Sequence, residues 1–489
     1  MKHFKLNSKI INPYYIIIVI LAIVCYVFFQ NYYSYHFFYK EQNQIFLMSW
    51  NYVAEYFSKP AWAACLIGDF LTQFYYYLYA GALILTIVLL TMGDVIRRSL
   101  QKAGLSINVS FIIAIIAMIL EIICHFKAEF RLASTIAIIG GATIFYLVSF
   151  IPRINKWKFL NEIVIIVSSA ISYWMFGYGW IIFIILAIMS GWKHTNIKIA
   201  IMRFCYIPIF TICIHFTQNL YLLNDNNNLT YPGLGELKKP EMDLERYLMI
   251  DNEYYFGHYN KVLIACSRMD SIPEQISFFY NLTLAHQGLL ANSFDLANPT
   301  NLGTFYHIGP NTPLIIIKMM NELYYTLGDM TLTERAAMMA NVFSANNRNV
   351  RMIKRLAEAN LVNNDIPAAM KYLRILDNTI VYKKWAAKHT PGMQTAEVKM
   401  EIAKKRKFVN KTDTLRLTDN CREVLLELLQ SNPRNAVALD YLLCSDLMAR
   451  QIGVFMDDYN KYYALQKRKN EPQLYRQAVD FYNQNNPNK

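Results

Sequence analysis

The chain has 489 residues, is 55% hydrophobic and 15% aromatic, and carries a mean hydropathy of +0.19 and a net charge of +13. That apolar content excludes a wholly water-soluble protein. It is concentrated before Asn224, so the chain divides into a membrane half and a soluble half large enough for its own core. The positive balance does not require nucleic acid, because much of it lies in short loops between apolar runs, where cytoplasmic loops collect Lys and Arg.

A helix that crosses a bilayer needs about 20 mostly apolar residues. The first such run, Pro13–Phe29, follows the basic segment "MKHFKLNSKI". No small-residue cleavage site comes after it, so it reads as a retained span and not a removed signal. The first outer loop, residues 31–77, contains "YKEQNQIFLMSW". Lys40, Glu41 and Gln42 are expected to stay hydrated there. Ile45, Phe46, Met48 and Trp50 are expected to lie in the headgroup boundary as an interfacial helix. Six more apolar runs follow, near Tyr79–Gly93, Val109–His125, Leu132–Ile151, Leu160–Phe176, Gly179–Trp192 and Ile199–Asn219. The fifth and sixth of the seven runs are separated only by "GYG", which allows a tight hairpin or one broken span.

Basic clusters precede the first span and follow the second, fourth and sixth. Falling on alternate loops, they place the N-terminus in the cytoplasm. About seven spans then carry the soluble half to the periplasmic side of a bacterial inner membrane. The expected organisation is a polytopic domain over 1–222, a linker over 223–240 rich in Asn, Gly and Pro, and a helical domain over 241–489.

In the soluble half, "NELYYTLGDMTLTERAAMMANVF" aligns with "RLAEANLVNNDIPAAMKYLRIL". Leu327 and Leu361 are 34 residues apart (361 − 327), the tetratricopeptide period. Turns at Gly257 and Gly288 break similar helix pairs, and residues 298–313 read as an inserted loop. The expected fold class is therefore all-α, a helical membrane domain followed by a tetratricopeptide-like array. Such arrays bind protein or peptide partners on a concave face.

Chemistry is sparse. No phosphate-binding loop, zinc-protease, nucleophile-elbow or dinucleotide fingerprint occurs, and the 8 cysteines form no C-x-x-C, so neither metal nor cofactor is expected. The run "KKRK", Lys404–Lys407, reads as a solvated basic face. Ionisable residues near membrane spans are the remaining candidates. They are Glu41; Asp69, four residues before Gln73; Glu121, four before His125; Lys127 and Arg131; and His215 in the last span.

The layout resembles integral-membrane glycosyltransferases of the GT-C type, which use polyprenyl-phosphate sugars and carry an acidic residue soon after the first span. That resemblance implies Glu41 as catalytic acid or base, Asp69 or Glu121 assisting, and His125, Lys127 and Arg131 on the lipid phosphate. It departs from the family in having Glu41-Gln42 where a paired acid is common. The stretches "EQNQIFLMSWNYV", "LIGDFLTQFYYYLYAGALI" and "NNRNVRMIKRLAEANLVNNDIPAAMKYLRIL" resemble an uncharacterised family of Bacteroidota membrane proteins. This second resemblance implies the two-part architecture and no activity. Expected partners are thus a protein or peptide on the repeats, membrane lipids, and under the glycosyltransferase reading a lipid-linked sugar.

Overall fold

The structure is a computed structural model that describes residues 13–151, 158–194, 197–220, 233, 235–294, 311–344, 347–409, 420–466, 468 and 470–485. Among them there are helices and no strands. The chain forms two compact units, Met1–Glu245 and Arg246–Lys489.

In the first unit every apolar run becomes helical. The first is α1 (Pro13–Asn31), and the outer loop supplies α2 (Tyr35–Gln42), α3 (Trp50–Phe57) and α4 (Trp62–Thr72). The next runs form α5 (Ala80–Lys102), α6 (Ile107–Cys124), α7 (Leu132–Val148), α8 (Lys158–Phe176) and α9 (Gly179–His194). The last run is two helices, α10 (Ile197–Phe204) and α11 (Tyr206–Leu220). Among the described residues two helices, α5 and α6, are long and apolar enough to cross a membrane. A third crossing exists if Ile16–Asn31 and Tyr35–Gln42, bent by 73°, count as one. α1 leaves Val19, Ile20, Ile23 and Val24 exposed, and α6 leaves Ile112 and Ile116 exposed. Such apolar stripes are costly in water and unremarkable against lipid.

α7 is the centre of this unit and packs on α4, α5, α8 and α9. Its approach to α9 is backbone on backbone. A Cβ at Gly141 would lie 1.8 Å from the Gly179 carbonyl oxygen, and one at Gly179 would lie 2.0 Å from that of Ala137. The "GYG" segment is therefore the turn between two helices, α8 and α9, that pack against each other, not a kink in one span. A buried ion pair braces them: the Arg203 guanidinium donates to both Glu162 carboxylate oxygens (3.0 and 2.7 Å) and to the Ala187 carbonyl (2.6 Å).

The segment "YKEQNQIFLMSW" departs from the sequence expectation. Its polar half is the end of α2, with Glu41 and Gln42 buried, and its apolar half is not helical. Ile45 and Phe46 are buried while Met48 and Trp50 are exposed. Two side-chain hydrogen bonds hold the extended strip: the Tyr52 hydroxyl donates to the Ile45 carbonyl (2.7 Å), and the strip's own Gln44 Nε2 donates to the Asp69 carbonyl (3.1 Å). The first satisfies the Ile45 carbonyl, which an interfacial helix would have satisfied internally.

After α12 (Met242–Tyr255), whose first residues through Glu245 belong to the first unit, α13 (Tyr259–Ser267), α14 (Glu274–His286) and α15 (Leu290–Ser293) precede two matched pairs in the second unit. These are α16 (Leu314–Leu327) with α17 (Met330–Val342), and α18 (Val350–Asn363) with α19 (Ile366–Asp377). Helix starts, left-handed C-caps at Gly328 and Asn364, and N-caps at Asp329 and Asp365 all recur at 36 residues (350 − 314, 364 − 328, 365 − 329). The 34-residue spacing of Leu327 and Leu361 is thus not the structural register, because Leu361 lies two residues short of the end of its helix. Each capping Asp accepts from the backbone N–H three residues on, which starts the second helix of the pair.

α20 (Lys383–His389) and α21 (Ala396–Arg406) follow. The chain then turns back: of α22 (Cys421–Ser431), α23 (Ala436–Met448), α24 (Ile452–Tyr462) and α25 (Gln473–Asn485), α23 packs on α14, α15 and α16. Asn435 Nδ2 donates to the Leu327 carbonyl (2.8 Å), closing that contact. The array therefore folds back on itself. Most of the expected inserted loop, 298–313, and most of the expected linker lie outside the described residues.

Candidate functional site

Four of the sequence-selected residues meet at the first turns of α7. Asp69 leaves α4 one residue after Gly68, where a Cβ would stand 2.7 Å from the backbone of Ala133. That close approach lets the Asp69 carboxylate accept from Arg131 Nη2 (2.6 Å), and it also accepts from the Tyr56 hydroxyl (3.0 Å). One turn further along α7, the Thr135 hydroxyl donates to Glu121 Oε1 (2.6 Å) and lies 2.8 Å from His125 Nε2. Glu121 and His125 are both buried. Their four-residue spacing predicts a direct neighbour pair, yet a threonine from the next helix bridges them. A hydroxyl between a carboxylate and an imidazole can pass a proton between the two.

Lys127 faces Glu236 at 3.3 Å. It lines a small open cleft with Arg131, Ser134, Glu129 and Glu236. Two cations stand there against two carboxylates, and Arg131 is already paired with Asp69, so the cleft offers a phosphate no excess positive charge. Glu41 is 3% exposed on the inner face of α2. The chain just beyond it reaches Asp69 through Gln44. The side chain of His215 lies outside the described residues. The acids named from the sequence are thus buried and internally engaged.

Sequence reasoning missed two features of this unit. One is the Glu162–Arg203 pair. The other is Glu245, which accepts from the backbone N–H groups of Tyr35 (2.5 Å) and His36 (3.2 Å) and so caps α2 from 209 residues away. Its carboxylate also stands 3.8 Å from Nδ1 of the fully buried His36.

The second unit holds a larger charged assembly. Arg351, fully buried, makes two hydrogen bonds to Asp251 (2.6 and 2.9 Å) and one to Glu322 (2.9 Å). Arg355 donates to the other Glu322 oxygen (2.7 Å) and pairs with Glu358 at 3.0 Å. Burial alone would raise the Glu322 carboxyl, but Arg355 and Arg351 together hold it below its usual value. Tyrosine and tryptophan rings cover this frame. Arg351 lies 4.4 Å from the Tyr255 ring, Lys354 4.8 Å from Tyr255 and 5.0 Å from Trp385, and Arg355 3.7 Å from Tyr325. Tyr255, Tyr325 and Trp385 are each partly exposed, so the assembly reaches the surface.

The "KKRK" run belongs to this assembly and is not simply a solvated face. Arg406 donates to the carbonyls of Val362 (2.9 Å) and Leu361 (2.7 Å), and Lys405 lies 3.9 Å from the Tyr325 ring. One signal was available in the sequence: Arg351, Lys354, Arg355 and Glu358 repeat at helical spacing and charge one whole face of α18. Their partners Asp251 and Glu322 are 100 and 29 residues distant, beyond any local pattern.

Among the described residues no group of three or more His, Cys, Asp or Glu side chains is placed to hold a metal ion. Fold and site together define an all-helical protein with apolar helices able to cross a membrane and a second helical unit built on buried ion pairs. The chain belongs to the DUF6057 family, a family of unknown function whose pattern matches residues 9–489. No curated protein and no solved structure matches it.

Proposed function

We propose that this is a multi-pass inner-membrane protein of about seven spans that presents a tetratricopeptide-like unit to the periplasm. There the unit binds a protein partner in assembly or maintenance of the cell envelope. One observation carries the reading: the second unit surrounds α18 with partly exposed aromatic rings and cations, held from beneath by Arg351, Asp251 and Glu322. Polar surface of that kind costs stability to hold in place and is typical of binding faces. The repeated helix pairs and the alternation of basic loops support the architecture and the orientation.

The test is a photo-crosslinking residue placed at exposed Lys384 in the full chain in its native membrane, with exposed Glu423 as control. A discrete adduct from position 384 that is absent from position 423 is expected. The same adducts at both positions, or none, would sink the reading.

A second reading, transfer of a sugar from a polyprenyl phosphate at the outer leaflet, draws support from the meeting of Asp69, Arg131, Glu121 and His125 on α7 beside the Lys127 cleft. Under it Glu41→Gln abolishes transfer to envelope glycans at unchanged protein level. Unaltered glycans in that variant would eliminate it. The pairing of Lys127 with Glu236 and of Arg131 with Asp69 favours the first reading.

A further inference from the structure

Lys405 stands apart from the other cations of the second unit. Arg351 and Arg355 each have carboxylates in contact, and Lys354 has Glu358 at 3.6 Å. Among the described residues Lys405 has no carboxylate oxygen within 4.0 Å. Its ammonium rests on the Tyr325 ring, 3.9 Å from the centroid, and the Arg355 guanidinium lies 3.7 Å from the same centroid. The two cations are therefore at most about 8 Å apart, those two distances taken together. A half-buried ammonium with no carboxylate in direct contact is costly to hold.

The surroundings carry the same sign. Residues 383–407, which span α20 and α21, contain eight Lys or Arg against two Glu. Beside this basic stretch stand two partly exposed ring systems. Trp385 is stacked on His389 at 3.9 Å, and Tyr259 is set against exposed His286 at 4.3 Å. A cation with no carboxylate in contact, flanked by flat apolar platforms, fits an anionic group carried on a chain that also has apolar side chains.

We propose that the surface around Lys405, Tyr325 and Trp385 docks an acidic, extended peptide segment of the partner protein, one of whose carboxylates pairs with Lys405. This rests on the partner-binding reading above and names its chemistry. The groups facing Lys405 are Arg355 and Glu358 on α18, Glu322 on α16, Glu401 and Lys404 on its own helix, and His286 on α14. Burial, and next the Arg355 charge, push the Lys405 ammonium down to about 8 in the peptide-free protein. Docking is therefore strongest at neutral pH and weakens as pH rises through that value.

The probe is a labelled twelve-residue peptide of alternating Glu and Gly with one central Phe. Its anisotropy is followed against the full chain in nanodiscs of zwitterionic lipid. Saturable binding is expected, weakened at least tenfold by Lys405→Met and by Gln in place of Glu in the peptide, and falling between pH 7 and pH 9. Without peptide, Lys405→Met should melt at the same temperature as the parent or higher, because it removes a half-buried cation that no carboxylate contacts and that lies within about 8 Å of Arg355.

Three results would overturn the proposal: peptide binding unchanged in Lys405→Met, a lowered melting temperature in that variant, or Lys405-dependent binding of phosphatidylglycerol vesicles in place of the peptide. A crosslinked adduct at position 384 that survives Lys405→Met would defeat this site while leaving the partner-binding reading intact.

Discussion

Arg351→Met is expected to destabilise the second unit by about 3–5 kcal/mol, the usual cost of removing one member of a buried ion-pair network. The arginine is fully buried and satisfies both oxygens of Asp251 and one of Glu322. Methionine fills much of the same volume but strands the Asp251 carboxylate without a counter-charge. For a unit of this size the loss corresponds to a fall of roughly 6–20 °C in melting temperature, measurable by differential scanning fluorimetry of the solubilised full chain. Adding Asp251→Asn and Glu322→Gln to Arg351→Met should recover at least half of the fall, since neutral groups are cheaper to bury than unpaired charges. A single variant melting within about two degrees of the parent would show that water reaches the network.

The same network sets an acid limit. Glu322 is held below its ordinary carboxyl value of 4.5 in the folded chain. The stability it contributes is therefore fully present above that value and is lost as pH falls through the lower folded value. Arg351→Met should blunt this acid sensitivity as well as lower the neutral-pH melting temperature.

Gly141→Leu is expected to prevent stable assembly of the first unit. The new Cβ would stand 1.8 Å from the Gly179 carbonyl oxygen, which is backbone and has no rotamer by which to move aside. α9 would have to shift as a body, and it carries Phe183, Leu186 and Ala187 into the core. Overpacking costs 1–3 kcal/mol where side chains can adjust, and the cost exceeds that where backbone must move. The expected readout is loss of a monodisperse peak on size exclusion in detergent and rapid proteolysis in membranes. Gly453→Ala is the control, because nothing lies within 4 Å of a Cβ at that helical position. It should leave folding intact and stabilise α24 by up to about 1 kcal/mol. Equal behaviour of the two variants would refute the backbone contact between α7 and α9.

Local chemistry made much of this protein legible. Runs of Ile, Leu, Val and Phe became helices because apolar helices satisfy their own backbone, and α5 and α6 emerged with the length and composition of spans. The turns at Gly257 and Gly288 stand where they were read, at positive φ. The candidate acids were less well served. Glu121 and His125 were picked out by spacing, but Thr135, on another helix, is what joins them. Asp69 stands out in the sequence with Gln73, four residues on, and proves to be half of an ion pair with Arg131, 62 residues away.

By itself, then, the sequence determined that the long apolar runs are helical and that apolar and polar chemistry divide between two halves of the chain. These depend on interactions within a few residues. Tertiary structure alone decided the 36-residue register, the return of α23 onto α14–α16, the burial of Glu41, and the pairing of Asp69 with Arg131 and of Arg351 with Asp251 and Glu322. Each of these depends on which surfaces meet across tens or hundreds of residues, and a single side chain in a linear pattern does not record whether its counter-charge lies beside it. Lys405 is the sharpest case: read along the chain it is one of four cations in a basic run, and in the folded unit it is the one placed against Tyr325 without a carboxylate in contact.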